Sequence, residues 1–139
     1  MRRDFGWPHW ALGALLGCAA EPSAPSLHER FQPPAVYRTW FDATESCSVL
    51  QGDFERLRFY RVPGDEFACP SGTCVARWTD DHEIFLAEAF LQNEMVVRHE
   101  MLHDLIGNPG HPDPPFGESG CGLTWTTWSG RVAGVSRID

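Results

Sequence analysis

The chain has 139 residues, 42% of them hydrophobic and 22% charged, and a formal net charge of −8. That length supports one domain around a single core. The acidic balance argues against nucleic acid as a partner, because phosphate binding needs clustered basic side chains. No internal repeat or low-complexity tract interrupts the sequence.

Met1-Arg2-Arg3 is a basic start, followed by a mixed apolar run ending Ala11-Leu12-Gly13-Ala14-Leu15-Leu16-Gly17-Cys18. Residues 1–18 therefore read as a secretory signal. The run is too short for a membrane span, which needs about 20 apolar residues. Leu15-Leu16-Gly17-Cys18 resembles the bacterial lipobox, and the resemblance implies that Cys18 carries lipid. The expected location is the bacterial cell envelope, lipid-anchored at the outer membrane or periplasmic face; a cleaved signal and a secreted protein are the alternative. Residues 19–34, with Glu21-Pro22-Ser23-Ala24-Pro25-Ser26, read as a flexible tether. Residues 35–139 are the expected folded domain.

Within that domain Trp40-Phe41 comes first, and a helix is expected over 43–50. Leu57-Arg58-Phe59-Tyr60-Arg61-Val62 alternates and stops at Pro63-Gly64, as a strand ending in a turn does. Arginines 56, 58 and 61 then read as a solvated face rather than a binding patch. Val75-Ala76-Arg77-Trp78 and Ile84-Phe85-Leu86-Ala87 read as further strands, and Leu123-Thr124-Trp125 as a last one. The tail beyond Gly130 is expected to fray. Strands followed by one buried helix indicate α+β, with a short antiparallel or mixed sheet packed on that helix. Cys47, Cys69, Cys74 and Cys121 remain once Cys18 is set aside, an even number that suggests two disulfides in an exported chain. Cys69–Cys74 would close a local loop and Cys47–Cys121 a long one. A Cys-rich zinc cluster is disfavoured because no Cys-x-x-Cys pair occurs.

The buried helix is the informative element. Asn93 is its expected N-cap, Glu94 suits the positive end of the helix dipole, and Gly107 with Pro109 marks the stop. Between them lies His99-Glu100-Met101-Leu102-His103. Residues four apart on a helix lie one above the other, so His99 and His103 offer two imidazoles to one zinc ion. Glu100 is placed to reach a water on the metal rather than the metal itself. A third ligand is required if water is to hold the fourth position. His111 is the favoured candidate, since Gly107-Asn108-Pro109-Gly110 permits a chain reversal. Glu118 is the alternative, with Asp113 and Cys121 weaker choices.

These residues make the chain resemble the zincin metallopeptidases, whose signature is His-Glu-x-x-His on an active-site helix. The resemblance covers roughly residues 84–121. It implies that His99 and His103 bind zinc and that Glu100 is the general base. It also implies that the strand before the helix, His82-Glu83-Ile84-Phe85-Leu86-Ala87, is an edge strand that lines the cleft and pairs with extended substrate. The metzincin third histidine, six residues past the second, is Pro109 here, and no methionine follows Met101. No second helix carries a gluzincin-type glutamate. The type is thus minimal and unassigned. The expected activity is zinc-dependent peptide-bond hydrolysis by a monomer acting on a peptide or protein. Tyr60 or His82 is a candidate to assist at the oxyanion, and Trp125 and Trp128 serve either a substrate groove or core packing. The alternative function is a non-catalytic zinc-binding or structural envelope lipoprotein using the same histidines.

Overall fold

The computed structural model describes Pro25 and residues 27–129. The expected signal segment with Cys18, much of the tether and the tail beyond Gly130 lie outside them. Pro34, extended at φ −64° and ψ 155°, leads into α1 (Ala35–Ser48). Tyr37, Trp40, Phe41 and Thr44 recur at i, i+3, i+4 and i+7 and are all buried, which gives the helix one core-facing stripe. The helix therefore starts at Ala35, where only 43–50 was expected. Val36, Thr39 and three aromatics lower its intrinsic propensity, and packing overrides that.

The protein is a small α+β domain. Its mixed four-stranded sheet has the order β1-β2-β6-β5, formed by Glu29–Phe31, Arg58–Val62, Glu83–Ala87 and Ala76–Thr79. β2 pairs parallel with β6, while β1 pairs antiparallel with β2 and β5 with β6. β1 falls inside the expected tether, because Glu29, Arg30 and Phe31 find partners at Arg61, Tyr60 and Phe59. A separate hairpin joins β3 (Phe67–Cys69) to β4 (Gly72–Cys74). The expected final strand at 123–125 does not form. Thr124 instead accepts bonds from the backbone of Thr127 and Trp128 and exchanges hydroxyl contacts with Thr126 and Thr127. Threonine side chains here compete with a ladder for backbone groups.

The expected edge strand is corrected by the sheet order. β6 is interior, flanked by β2 and β5, and Ile84, Phe85, Leu86 and Ala87 are all buried. A continuous apolar run suits a strand covered on both faces. The free edge on the side of the second helix belongs to β5. Ile84 and Leu86 join α1, α2 (Glu94–Ile106), Phe59 and Phe116 in the main core, whereas Phe85 and Ala87 pack with Val62 and Phe67 under the hairpin.

Both expected disulfides are present, Cys47–Cys121 and Cys69–Cys74. The first joins the end of α1 to the irregular segment after α2. Beside it the buried Arg98 donates to Thr44 Oγ1 at 3.0 Å, pairs with Glu94 at 2.9 Å and lies over the Trp128 ring. Of the three arginines expected on a solvated face, Arg58 and Arg61 pair with the partly exposed Glu83 and Glu29. Arg56 does not belong with them. It lies in a short 3₁₀ turn and reaches the fully buried carboxylate of Asp104.

Candidate metal centre

α2 has the boundaries its caps dictate. The Asn93 side chain accepts from the Val96 amide, and Gly107, left-handed at φ 62°, donates its amide to the His103 carbonyl. A left-handed residue at that position favours glycine, which has no Cβ to clash. The chain then turns back: Asn108 Oδ1 accepts from the Gly110 amide, folding the segment so that His111 faces the helix.

Three imidazoles meet there. His99 Nε2 lies 2.9 Å from His111 Nε2 and 3.2 Å from His103 Nε2, and the three ligand atoms all fall within 4.8 Å of one another. A tetrahedral zinc with bonds of about 2.0–2.1 Å needs ligand nitrogens ~3.3 Å apart. Glu118, the alternative ligand, is exposed and stands outside this group, as do Asp113 and Cys121; Cys121 is held in its disulfide.

The chemistry of the donors fits a cation as well as their spacing does. His99 Nδ1–H donates to the Leu123 carbonyl at 2.6 Å, and His103 Nδ1–H to the Asn108 carbonyl at 2.8 Å. A carbonyl only accepts, so each ring carries its proton on Nδ1 and leaves Nε2 bare. Burial lowers the His99 pKa and pushes His103 down to about 4. Both rings are therefore neutral near pH 7. Two bare lone pairs 3.2 Å apart repel one another unless a cation lies between them. The three histidines are thus close enough to bind a metal ion, and His99 and His103 are in the form to do so.

Phe116, fully buried, forms the floor. Its ring centroid lies 4.9 Å from His99, 4.7 Å from His103 and 4.9 Å from His111. An apolar floor excludes water from one side and limits how the imidazoles can tilt. Nothing in the sequence pattern marked Phe116, which follows two prolines in an irregular segment.

Glu100 is 6% exposed. Burial pushes its carboxyl up to about 8, against the opposing pull of the Trp78 backbone N–H. A metal dication nearby favours the ionised form. Glu100 and the histidines share a cleft of about 600 Å³, walled by Trp78 and Thr79 of β5 and by Cys69 and Ser71 of the hairpin. A second cavity of about 360 Å³ continues from Glu100, His99 and His111 past Val75, Met95 and Trp125. Open space therefore runs along the free edge of β5 on both sides of the centre. Trp125 is 68% exposed at this second cavity, whereas Trp128 packs against the main core.

Neither residue expected at the oxyanion lies in these cavities. Tyr60 stands opposite Phe85 in register, stacks on it, and is thereby carried to the hairpin face of the sheet. His82, left-handed at φ 61°, turns its Nδ1 to Asp104 Oδ1 at 2.7 Å. Asp104 also accepts from Trp78 Nε1 and from Arg56, so one buried carboxylate ties β5 and the turn after it to the helix that carries His99 and His103.

Comparison with protein-family models, curated proteins and solved structures finds no match to this chain.

Proposed function

We propose that the protein is a zinc-dependent peptidase of zincin type, with His99, His103 and His111 as the metal ligands and Glu100 as general base. The observation that carries this reading is the convergence of three Nε2 atoms beside a buried carboxylate at the middle of an open cleft. A zinc ion held there would supply Lewis acidity, bringing a water toward neutral pKa and stabilising the oxyanion of an attacked carbonyl. Glu100 takes the proton of the attacking water and passes it to the leaving amine. Metal capture alone has no use for a carboxylate at that position.

The backbone of β5 supplies the track. Ala87 N–H donates to the Val75 carbonyl, so residues 75, 77 and 79 face β6; the Ala76 amide and the Ala76 and Trp78 carbonyls face away from it, while the outward Trp78 N–H is engaged by Glu100. An extended peptide can pair with that outward row. Two disulfides suit an oxidising compartment. Together with the lipobox-like Leu15–Cys18, they support an envelope location in this reading.

Glu100→Gln tests the reading, since it retains shape and hydrogen bonding while abolishing basicity. The zinc-loaded wild type is expected to cleave members of a mixed peptide library at neutral pH. The variant should hold zinc and lose about 10²–10⁴-fold in rate. Zinc retained by both with no cleavage by either would favour a metal-binding protein without catalysis.

A further inference from the structure

The cleft has a second wall whose side chains the proposed hydrolysis does not use. Arg77 stands directly opposite Phe85 in the β5–β6 register, so its side chain lies on the hairpin face of the sheet, away from α2. It lines the same cleft as His99, Glu100 and His103 and is half-buried. Arg38, Arg56, Arg58, Arg61 and Arg98 each pair with a carboxylate, whereas Arg30 does not but is exposed on the far edge strand β1. Arg77 makes no ion pair or side-chain hydrogen bond among the described residues, although the chain is acidic. Asp80 also borders the cleft but does not pair with it. Glu83, the nearest carboxylate in register, is taken up by Arg58 and by the Tyr60 hydroxyl. Thr79, two residues on and on the same face, is 8% exposed and has a buried hydroxyl with no partner.

We infer that Arg77 is a specificity residue that receives a substrate carboxylate, so the preferred peptide carries an acidic side chain or a free C-terminus within a residue or two of the scissile bond. This rests on the peptidase reading of the centre. An unpaired guanidinium beside a cleft offers a planar fork that matches a carboxylate in two bonds.

Three succinyl hydroxamates test the inference without requiring turnover: one ending in glutamine amide, one in glutamate amide and one in glutamine with a free carboxylate. Their dissociation constants are measured on zinc-loaded wild type, Arg77→Met and Arg77→Lys, with zinc content confirming that each variant is folded. On wild type, at least one of the acids should bind roughly tenfold more tightly than the neutral compound. Which acid does so tells a side chain from a terminus. The preference should vanish in Arg77→Met and partly survive in Arg77→Lys. Equal binding of all three to wild type, or a preference that persists in Arg77→Met, overturns the inference while leaving the metal centre standing. Failure of every hydroxamate to bind the zinc-loaded wild type removes the peptidase centre itself, and this inference with it.

Discussion

Trp78 lies nearly parallel to the His103 ring, at 21° with centroids 6.2 Å apart, and its indole N–H donates to Asp104, the next residue along the helix. One tryptophan thus braces an imidazole of the three-histidine cluster through its ring and ties the cleft-lining strand to that helix through its nitrogen. Asp104 holds the arrangement by accepting from Trp78, His82 and Arg56 together.

Asp104→Ala should therefore cost more than an ordinary surface substitution. Three donors lose a buried acceptor, and a loss of ~2–4 kcal/mol is expected after allowance for the partly exposed Arg56 and His82. Urea denaturation of the oxidised, metal-free protein measures it. A change below about 0.5 kcal/mol would show that the network contributes little.

The third ligand can be decided directly. Zinc titration should show His111→Ala weakening the metal by far more than Glu118→Ala, because only His111 brings a nitrogen to the shared focus. His103→Ala should be at least as damaging. Loss of zinc in Glu118→Ala with retention in His111→Ala would reassign the site.

Phe116→Ala is expected to destabilise the domain by ~3–5 kcal/mol, the usual cost of emptying a buried aromatic position. Phe116→Leu leaves a smaller void and should fold. It should still bind zinc more weakly than wild type, because the three rings lose the surface that limits their tilt. Unchanged zinc affinity in Phe116→Leu would confine Phe116 to core packing.

Protonation of the metal-free protein changes on folding in two opposed ways. His103 titrates at about 4 in the fold against an ordinary 6.5. Between those values the unfolded chain holds the extra proton, so acid favours unfolding. Glu100 moves from an ordinary 4.5 up to about 8. Between those values the folded chain holds the extra proton, so its contribution is full below 4.5 and lost as pH rises through 8. Glu100→Gln removes only the second effect. Its stability relative to wild type should therefore rise between pH 5 and pH 8, by ~1 kcal/mol or more. Denaturant midpoints at both pH values check this, and a flat difference would contradict the burial of Glu100.

Much of α2 was legible because its signals are local: Asn93, Glu94, Gly107 and the four-residue histidine spacing act within a few residues of one another. The Cys69–Cys74 and Cys47–Cys121 pairs followed from parity and loop length. Sheet order is long-range, and the alternation at Leu57–Val62 could not reveal that β6 would lie between β2 and β5. The continuous burial of Ile84–Ala87 did carry that signal, since an edge strand rarely needs apolar residues on both faces. β1 and the hairpin were missed because three-residue strands carry too little pattern to register. Phe116 and Asp104 matter only through what converges on them in space.

The segment from Gly107 to Cys121 supplies His111 and the Phe116 floor, and it is anchored at one end by the cap of α2 and at the other by the bond to Cys47. Leu123, which orients His99, lies just past that bond. Closing so long a loop contributes ~4 kcal/mol in the chain-entropy model. In a reducing cytosol the two cysteines would stay apart and the third imidazole would lose its tether. Assembly of the His99, His103 and His111 cluster is then tied to oxidation: reduction of Cys47–Cys121 loosens the segment that carries the third imidazole without touching any of the three rings.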